Sequence, residues 1–241
     1  SPHSPVRRLG FRRLDRGRFP LVPLLLAVGC HGARAVSPAP LPRAAYAHYL
    51  AGKVALYTDS PDAAVRELTL AAAAAPDQPM VAIELAHALA KDKRDTDARD
   101  VLARTRADWP EHPEVALAWA QQLEKMKDPE TAAAYARAIE LEPDDEQAYL
   151  GLARVQRTAD SEATLQRLVT RVPDPVDGHY RLAQRMLDRH DLPAAERELR
   201  AVLEHDPDHI VARVDLSSTL RKQGKLADAI AQMRSAFDRA G

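Results

Sequence analysis

Two imidazoles and two carboxylates lie within five residues at His205-Asp206-Pro207-Asp208-His209. No other stretch sets two imidazoles so close together. A divalent transition metal would take both ring nitrogens and a carboxylate oxygen there. The same residues also read as a turn, because aspartate and proline stop one helix and start the next, and the stretches on both sides are helix-patterned. The turn is the expectation, with no metal and no cofactor. The only thiol, Cys30, directly follows an apolar run from Phe19 to Gly29 and is the second group with chemistry of its own. No glycine-rich phosphate loop, no H-E-x-x-H pair and no nucleophile elbow occurs, so the chain is not expected to be an enzyme.

The elements that carry these groups repeat. Pro76, Pro110, Pro143, Pro173 and Pro207 stand 34, 33, 30 and 34 residues apart, and each closes a helix-patterned stretch. Aligning on them brings out an apolar-then-small pair in a first helix: Ala51-Gly52, Leu85-Ala86, Trp119-Ala120, Leu152-Ala153, Leu182-Ala183 and Leu216-Ser217. About a dozen residues on, a second helix carries a small residue four before a large one, as in Ala64 and Leu68, Ala98 and Leu102, or Ala229 and Met233. Small residues let two helices approach while large ones fill the gaps between them. Ser60-Pro61 and Asp128-Pro129 read as helix starts, each an oxygen-bearing cap before a proline. Gly224 falls where a helix end wants a left-handed residue. The fourth unit is four residues short between Leu152 and Ser161, which predicts both of its helices clipped by about one turn.

With this period and these marks, residues 44–241 resemble the tetratricopeptide repeat. The family's first-helix tryptophan is replaced by His48, Ala82, Ala116, Tyr149, His179 and Arg213. The resemblance implies an all-α solenoid, a right-handed superhelix of about six helix-turn-helix repeats that acts by binding a protein or peptide. It also implies that the first helices line a concave groove, with Tyr49, Ile83, Leu117, Leu150, Tyr180 and Val214 pointing into it. One turn further come the polar edge residues Lys53, His87, Gln121, Arg154, Gln184 and Ser218. Apolar anchors edged by hydrogen-bonding groups suit an amphipathic helix or an extended peptide. Packing between adjacent first helices is the competing use of the same side chains. The lysine and asparagine set with which some members clamp a chain-terminal carboxylate is missing, apart from Lys53. Tyr46 and Tyr57 join Tyr49 in the first repeat, as a recognition cluster or as the seal on the end of the array.

Residues 1–29 hold six arginines against one acid and end in the apolar run, the order of a secretion signal. The run is too short to span a bilayer as a helix. Leu26-Ala27-Val28-Gly29-Cys30 resembles a bacterial lipoprotein box, with the leucine displaced by one position. This resemblance implies lipidation of Cys30, a proline-containing tether over residues 30–43, and a site at the periplasmic face of a bacterial membrane. Ala33-Arg34-Ala35 offers a rival cut that would release a soluble periplasmic protein, and a basic tail with a chance apolar patch is the third reading. Removing residues 1–29 leaves a net charge of about −6, the wrong sign for a nucleic-acid binder. The expected role is therefore an exported, lipid-anchored interaction scaffold or assembly factor. Alternatives are a factor resembling the pilotin lipoproteins of type IV pilus secretins, or the N-terminal repeat portion of a longer enzyme or sensor.

Overall fold

Proline and short polar turns cut the chain into helix pairs. The computed structural model describes residues 40–240, which hold twelve helices and no strand. The first three pairs are α1 (Arg43–Tyr57) with α2 (Pro61–Ala74), α3 (Pro79–Lys91) with α4 (Asp95–Asp108), and α5 (Pro113–Lys125) with α6 (Thr131–Leu141). The next three are α7 (Glu146–Val155) with α8 (Thr158–Arg171), α9 (Val176–Asp188) with α10 (Leu192–His205), and α11 (Ile210–Lys222) with α12 (Leu226–Ala240). The proposed signal, Cys30 and most of the tether lie outside the described residues.

Each repeat-closing proline sits directly after the C-cap of a second helix: Pro76 after Ala75, Pro110 after Trp109, Pro143 after Glu142, Pro173 after Val172 and Pro207 after Asp206. A proline there cannot extend the helix, so the break recurs with the repeat. The turn inside a repeat has its own signature. Asp59, Lys93, Lys127, His190 and Gly224 all have positive φ, between 53° and 80°. After each, an N–H reaches back five residues, Ser60 to Ala55, Arg94 to Leu89, Asp128 to Leu123, Asp191 to Met186 and Lys225 to Leu220, at 2.8–2.9 Å. These are Schellman closures, and only the last uses the glycine that sequence reasoning looks for.

Three local expectations need correction. Ser60 occupies the N-cap of α2 but its side chain makes no capping bond. Asp128-Pro129 does not start a helix; Asp128 accepts from the Glu130 N–H at 2.9 Å in a turn, and α6 begins at Thr131. In the fourth repeat only the first helix is clipped: α7 has 10 residues where α3, α5, α9 and α11 have 13, while α8 keeps 14. Gln156 and Arg157 alone join α7 to α8, and no residue there has positive φ.

Successive helices pack antiparallel on one another throughout. In addition α3 rests on α5 and α5 on α7, whereas no two even-numbered helices touch to a comparable extent. The odd helices are thus the crowded layer, and the crowded layer is the concave side. One core runs from Ala64 to Ala195 and a second joins α9 to α12 around Leu199, Leu216 and Leu220. Small residues set the spacing. A Cβ on Gly52 would lie 2.5 Å from Leu68 Cγ, so α1 and α2 meet there closer than any side chain allows. At the two ends of the described array the outer faces are open. Tyr46, Leu50, Val54 and Tyr57 are exposed on α1, as are Leu226, Ile230, Met233 and Phe237 on α12. Met233 is therefore not core in the way its counterparts are, because no described helix follows α12 to cover it.

Candidate partner-binding face

The apolar ladder of the odd helices divides in two. Ile83 and Leu150 are 5% and 9% exposed, so their surface is spent between helices and little is left for a ligand. Tyr49 and Leu117 are half-buried against the core, and Tyr180 likewise against the second core. Val214 is exposed. Burial, with help from the charge of Glu84, raises the Tyr49 phenol above its ordinary range. Burial therefore alternates in the middle of the ladder, with Leu117 half-open between the buried Ile83 and Leu150, while Tyr49, Tyr180 and Val214 towards its ends keep exposed surface.

The polar edge is partly self-paired, and the pairs follow a register. Lys53 donates to Glu84 at 2.7 Å, from the first repeat to the second. Gln184 Nε2 donates to Asp215 Oδ2 at 2.9 Å, from the fifth to the sixth, and the Tyr180 hydroxyl donates to the same oxygen at 3.0 Å. In both pairs the acceptor lies 31 residues beyond the edge residue. Arg154 behaves differently. It turns back to the third repeat and grips Glu124 with Nε and Nη2, the latter 2.8 Å from Oε2. This hydrogen bonding holds the Glu124 carboxyl below its ordinary range, against the cost of burial. The Tyr135 hydroxyl donates to the same carboxylate at 2.5 Å, so one acid ties α5, α6 and α7 together.

Two clefts open between odd helices. The smaller, about 270 Å³, is largely apolar and lies between α3 and α5 over Leu102 and Ala118. His87 and Gln121 stand at its mouth, neither with a hydrogen-bond partner among the described residues. Desolvation lowers the His87 pKa, so the ring favours its neutral form there. The larger cleft, about 420 Å³, lies between the end of α7, α8 and α9. Arg154, Tyr180 and Gln184 of the expected groove set line it, together with Arg181, Arg185 and Ser161, which lie outside that set. The signal for Arg181 was present: it falls one residue beyond the ladder, in the column Leu50, Glu84, Ala118, Gly151, Arg181 and Asp215. Lys53 and Ser218 lie at the two ends of the face, and neither borders the two clefts.

The histidine-aspartate cluster is used up as a turn. His209 caps α11, its Nδ1 accepting from the Ala212 N–H at 3.1 Å, and its ring lies 5.1 Å from that of Tyr180. His205 Nδ1 pairs with Asp174 at 2.8 Å and Asp206 accepts from the Asp208 N–H at 3.0 Å. Among the described residues no three or more potential ligands converge on one point, and no helix is long and apolar enough to cross a membrane.

A family model described as tetratricopeptide repeat matches residues 49–113 and 180–241. No curated protein sequence matches the chain. Among solved structures, MamA is 14% identical, with a TM-score of 0.56 over 65% of this chain and 94% of its own. TTC0263, a thermophilic protein of the same repeat class from Thermus thermophilus, is 19% identical, with a TM-score of 0.54 over 73% and 99%. Yeast Tom70 is also 19% identical, with a TM-score of 0.56 over 81% of this chain and 40% of its own. At such identities the likeness is one of fold.

Proposed function

Since this chain belongs to the tetratricopeptide repeat family, a solenoid that works as a protein-interaction scaffold, we propose that it holds one segment of a partner protein along the face of its odd helices. The observation that carries this reading is the opening of two clefts, one apolar and one charged, on the same concave layer. The apolar cleft accepts a hydrophobic side chain, and the charged one fixes the register in which the segment lies. The role is binding rather than catalysis.

The basic-then-apolar order of residues 1–29 and the position of Cys30 support export and lipid anchoring at a bacterial envelope membrane. Tethering would raise the local concentration of the scaffold at the membrane where its partner is assembled. A photo-crosslinking residue at Leu117 should yield an adduct in the native cell, and one at Arg99, exposed on α4, should not; the reverse pattern moves binding to the outer layer. For the anchor, radiolabelled palmitate should enter the protein in a Gram-negative host and be lost with Cys30→Ala. A mature N-terminus at Val36 would instead make it soluble and periplasmic.

A further inference from the structure

The donor-acid register of the polar edge forms at two repeat junctions, and a third junction, in the larger cleft, carries a cation at both positions. Where the first repeat meets the second and the fifth meets the sixth, an edge donor reaches an acid in the next odd helix, Glu84 or Asp215. Between the fourth and fifth repeats the edge donor is Arg154, and the residue in the acid's column is Arg181. Two cations thus stand where those two junctions set a donor against a carboxylate, whereas the junctions between them carry the uncharged Ala118 and Gly151 in that column. Arg154 turns back to Glu124, and Arg181, exposed, has no acid partner among the described residues.

The surroundings fit a missing anion. The lining has three arginines, Arg154, Arg181 and Arg185, against a single acid, Asp177. Arg185 reaches only Asp188, at 3.9 Å, too far for a hydrogen bond. His209 has its Nδ1 committed as an acceptor, which leaves Nε2 to donate. Ser161, fully buried on the α8 side of the cleft, has a hydroxyl with no partner. The space itself comes from the short α7, which ends at Val155 and stops alongside α9 before it can fill the gap. At their N-terminal ends α7 and α9 are fastened, the Gly178 N–H donating to Glu146 at 3.2 Å, so the opening is confined to the Arg154 end.

We propose that the notch between Arg154 and Arg181 takes a glutamate or aspartate side chain of the bound segment, which supplies from outside the carboxylate that the first and last repeat junctions carry within the chain. This rests on the concave face being the binding face. A carboxylate in a fork of guanidinium groups gains paired, charge-assisted hydrogen bonds. An acidic side chain is favoured over a nucleic-acid phosphate because the array itself is net acidic.

The test is selection from a display library of short random peptides blocked at both termini. Wild-type protein should enrich peptides with an acidic residue at one fixed position, and changing that residue to its amide should weaken binding about tenfold. Arg181→Glu rebuilds the donor-acid pair of the first and last junctions, so it should fold with an unchanged or raised melting temperature and lose those peptides. Arg181→Gln should weaken them without reversing preference. Peptides bound by wild type and Arg181→Glu alike, or enriched without a fixed acid, overturn the notch and leave the concave-face reading standing. Enrichment only from a companion library with free C-termini overturns the side-chain assignment in favour of a chain terminus. Failure of wild type to enrich any peptide overturns both readings.

Discussion

Gly151→Ala tests the packing of the fourth repeat more sharply than any truncation. Gly151 is buried in the middle of α7, and a methyl group there would fall inside 3.0 Å of three carbons of the Tyr135 ring. The ring cannot withdraw. It is 1% exposed, and its far end is held by the hydroxyl bond to Glu124, itself gripped by Arg154. Overpacking of this kind costs about 1–3 kcal/mol. Against it, alanine in a helix interior is better than glycine by about 1 kcal/mol. The net expectation is a loss of about 1 kcal/mol, where an ordinary helical glycine would give a gain.

The sign reverses when the obstruction is removed. In a Tyr135→Leu background the same Gly151→Ala change should stabilise by about 0.5–1 kcal/mol, because only the helix preference remains. The coupling between the two sites is then about 2 kcal/mol, well above the scatter expected of independent positions. Urea denaturation followed by far-ultraviolet circular dichroism gives the four corners of the cycle. Hydrogen exchange in α6 and α7 shows whether the loss is local, as a solenoid held by nearest-neighbour interfaces allows. Gly151→Ala stabilising the wild type, or a coupling below about 0.5 kcal/mol, would refute the close approach of α7 to Tyr135.

Ala98 is fully buried where α4 meets its neighbours, so Ala98→Arg should overpack the contact and bury a charge, lowering stability by about 3 kcal/mol in a melting or urea curve; an unchanged curve would refute the repeat alignment. The array should lose stability in acid. Glu124, Asp95 and Glu196 are held below their ordinary pKa chiefly by hydrogen bonds from Arg154, Lys125 and Lys225 respectively, so their contribution is complete above the usual carboxylate range and disappears as pH falls through the depressed folded values. Glu124→Gln should lower the urea midpoint at neutral pH and flatten its fall between neutral and acid pH; a midpoint independent of pH for wild type would contradict the pairing.

The repeat was legible because proline acts locally: Pro76, Pro110, Pro143, Pro173 and Pro207 end a helix whatever surrounds them. The left-handed turns were not, apart from Gly224. Asp59, Lys93, Lys127 and His190 take that conformation because the Schellman bonds of the helix end demand it; aspartate and histidine tolerate it better than most residues, but nothing in the two lysines announces it. For the site, pattern gave the layer but not the burial. Ile83 and Leu150 are as apolar as Leu117 and Val214, and only the folded packing leaves the first two buried, Leu117 half-buried and Val214 exposed. Glu84, Arg181 and Asp215 look like ordinary solvated charges one at a time. Their meaning comes from comparing the same column across repeats, since each acid pairs with a residue 31 positions earlier, beyond the reach of any local window.

Periodicity itself explains why a departure from it should carry recognition. An array of identical repeats presents the same surface at every step, so a bound segment could slide by one repeat without loss, and no register would be preferred. This chain breaks the period at the fourth repeat in several linked ways. α7 is short, the turn after it lacks a left-handed residue, and Gly151 brings the helix hard against Tyr135. Arg181 then stands in the column where the second and sixth repeats have an acid, and the larger of the two concave clefts opens beside it. The missing turn of α7 removes both the side chains and the length that would have filled the gap. The shortened helix thus makes space and the altered column gives that space a charge, and only together do they mark one position along an otherwise repetitive groove.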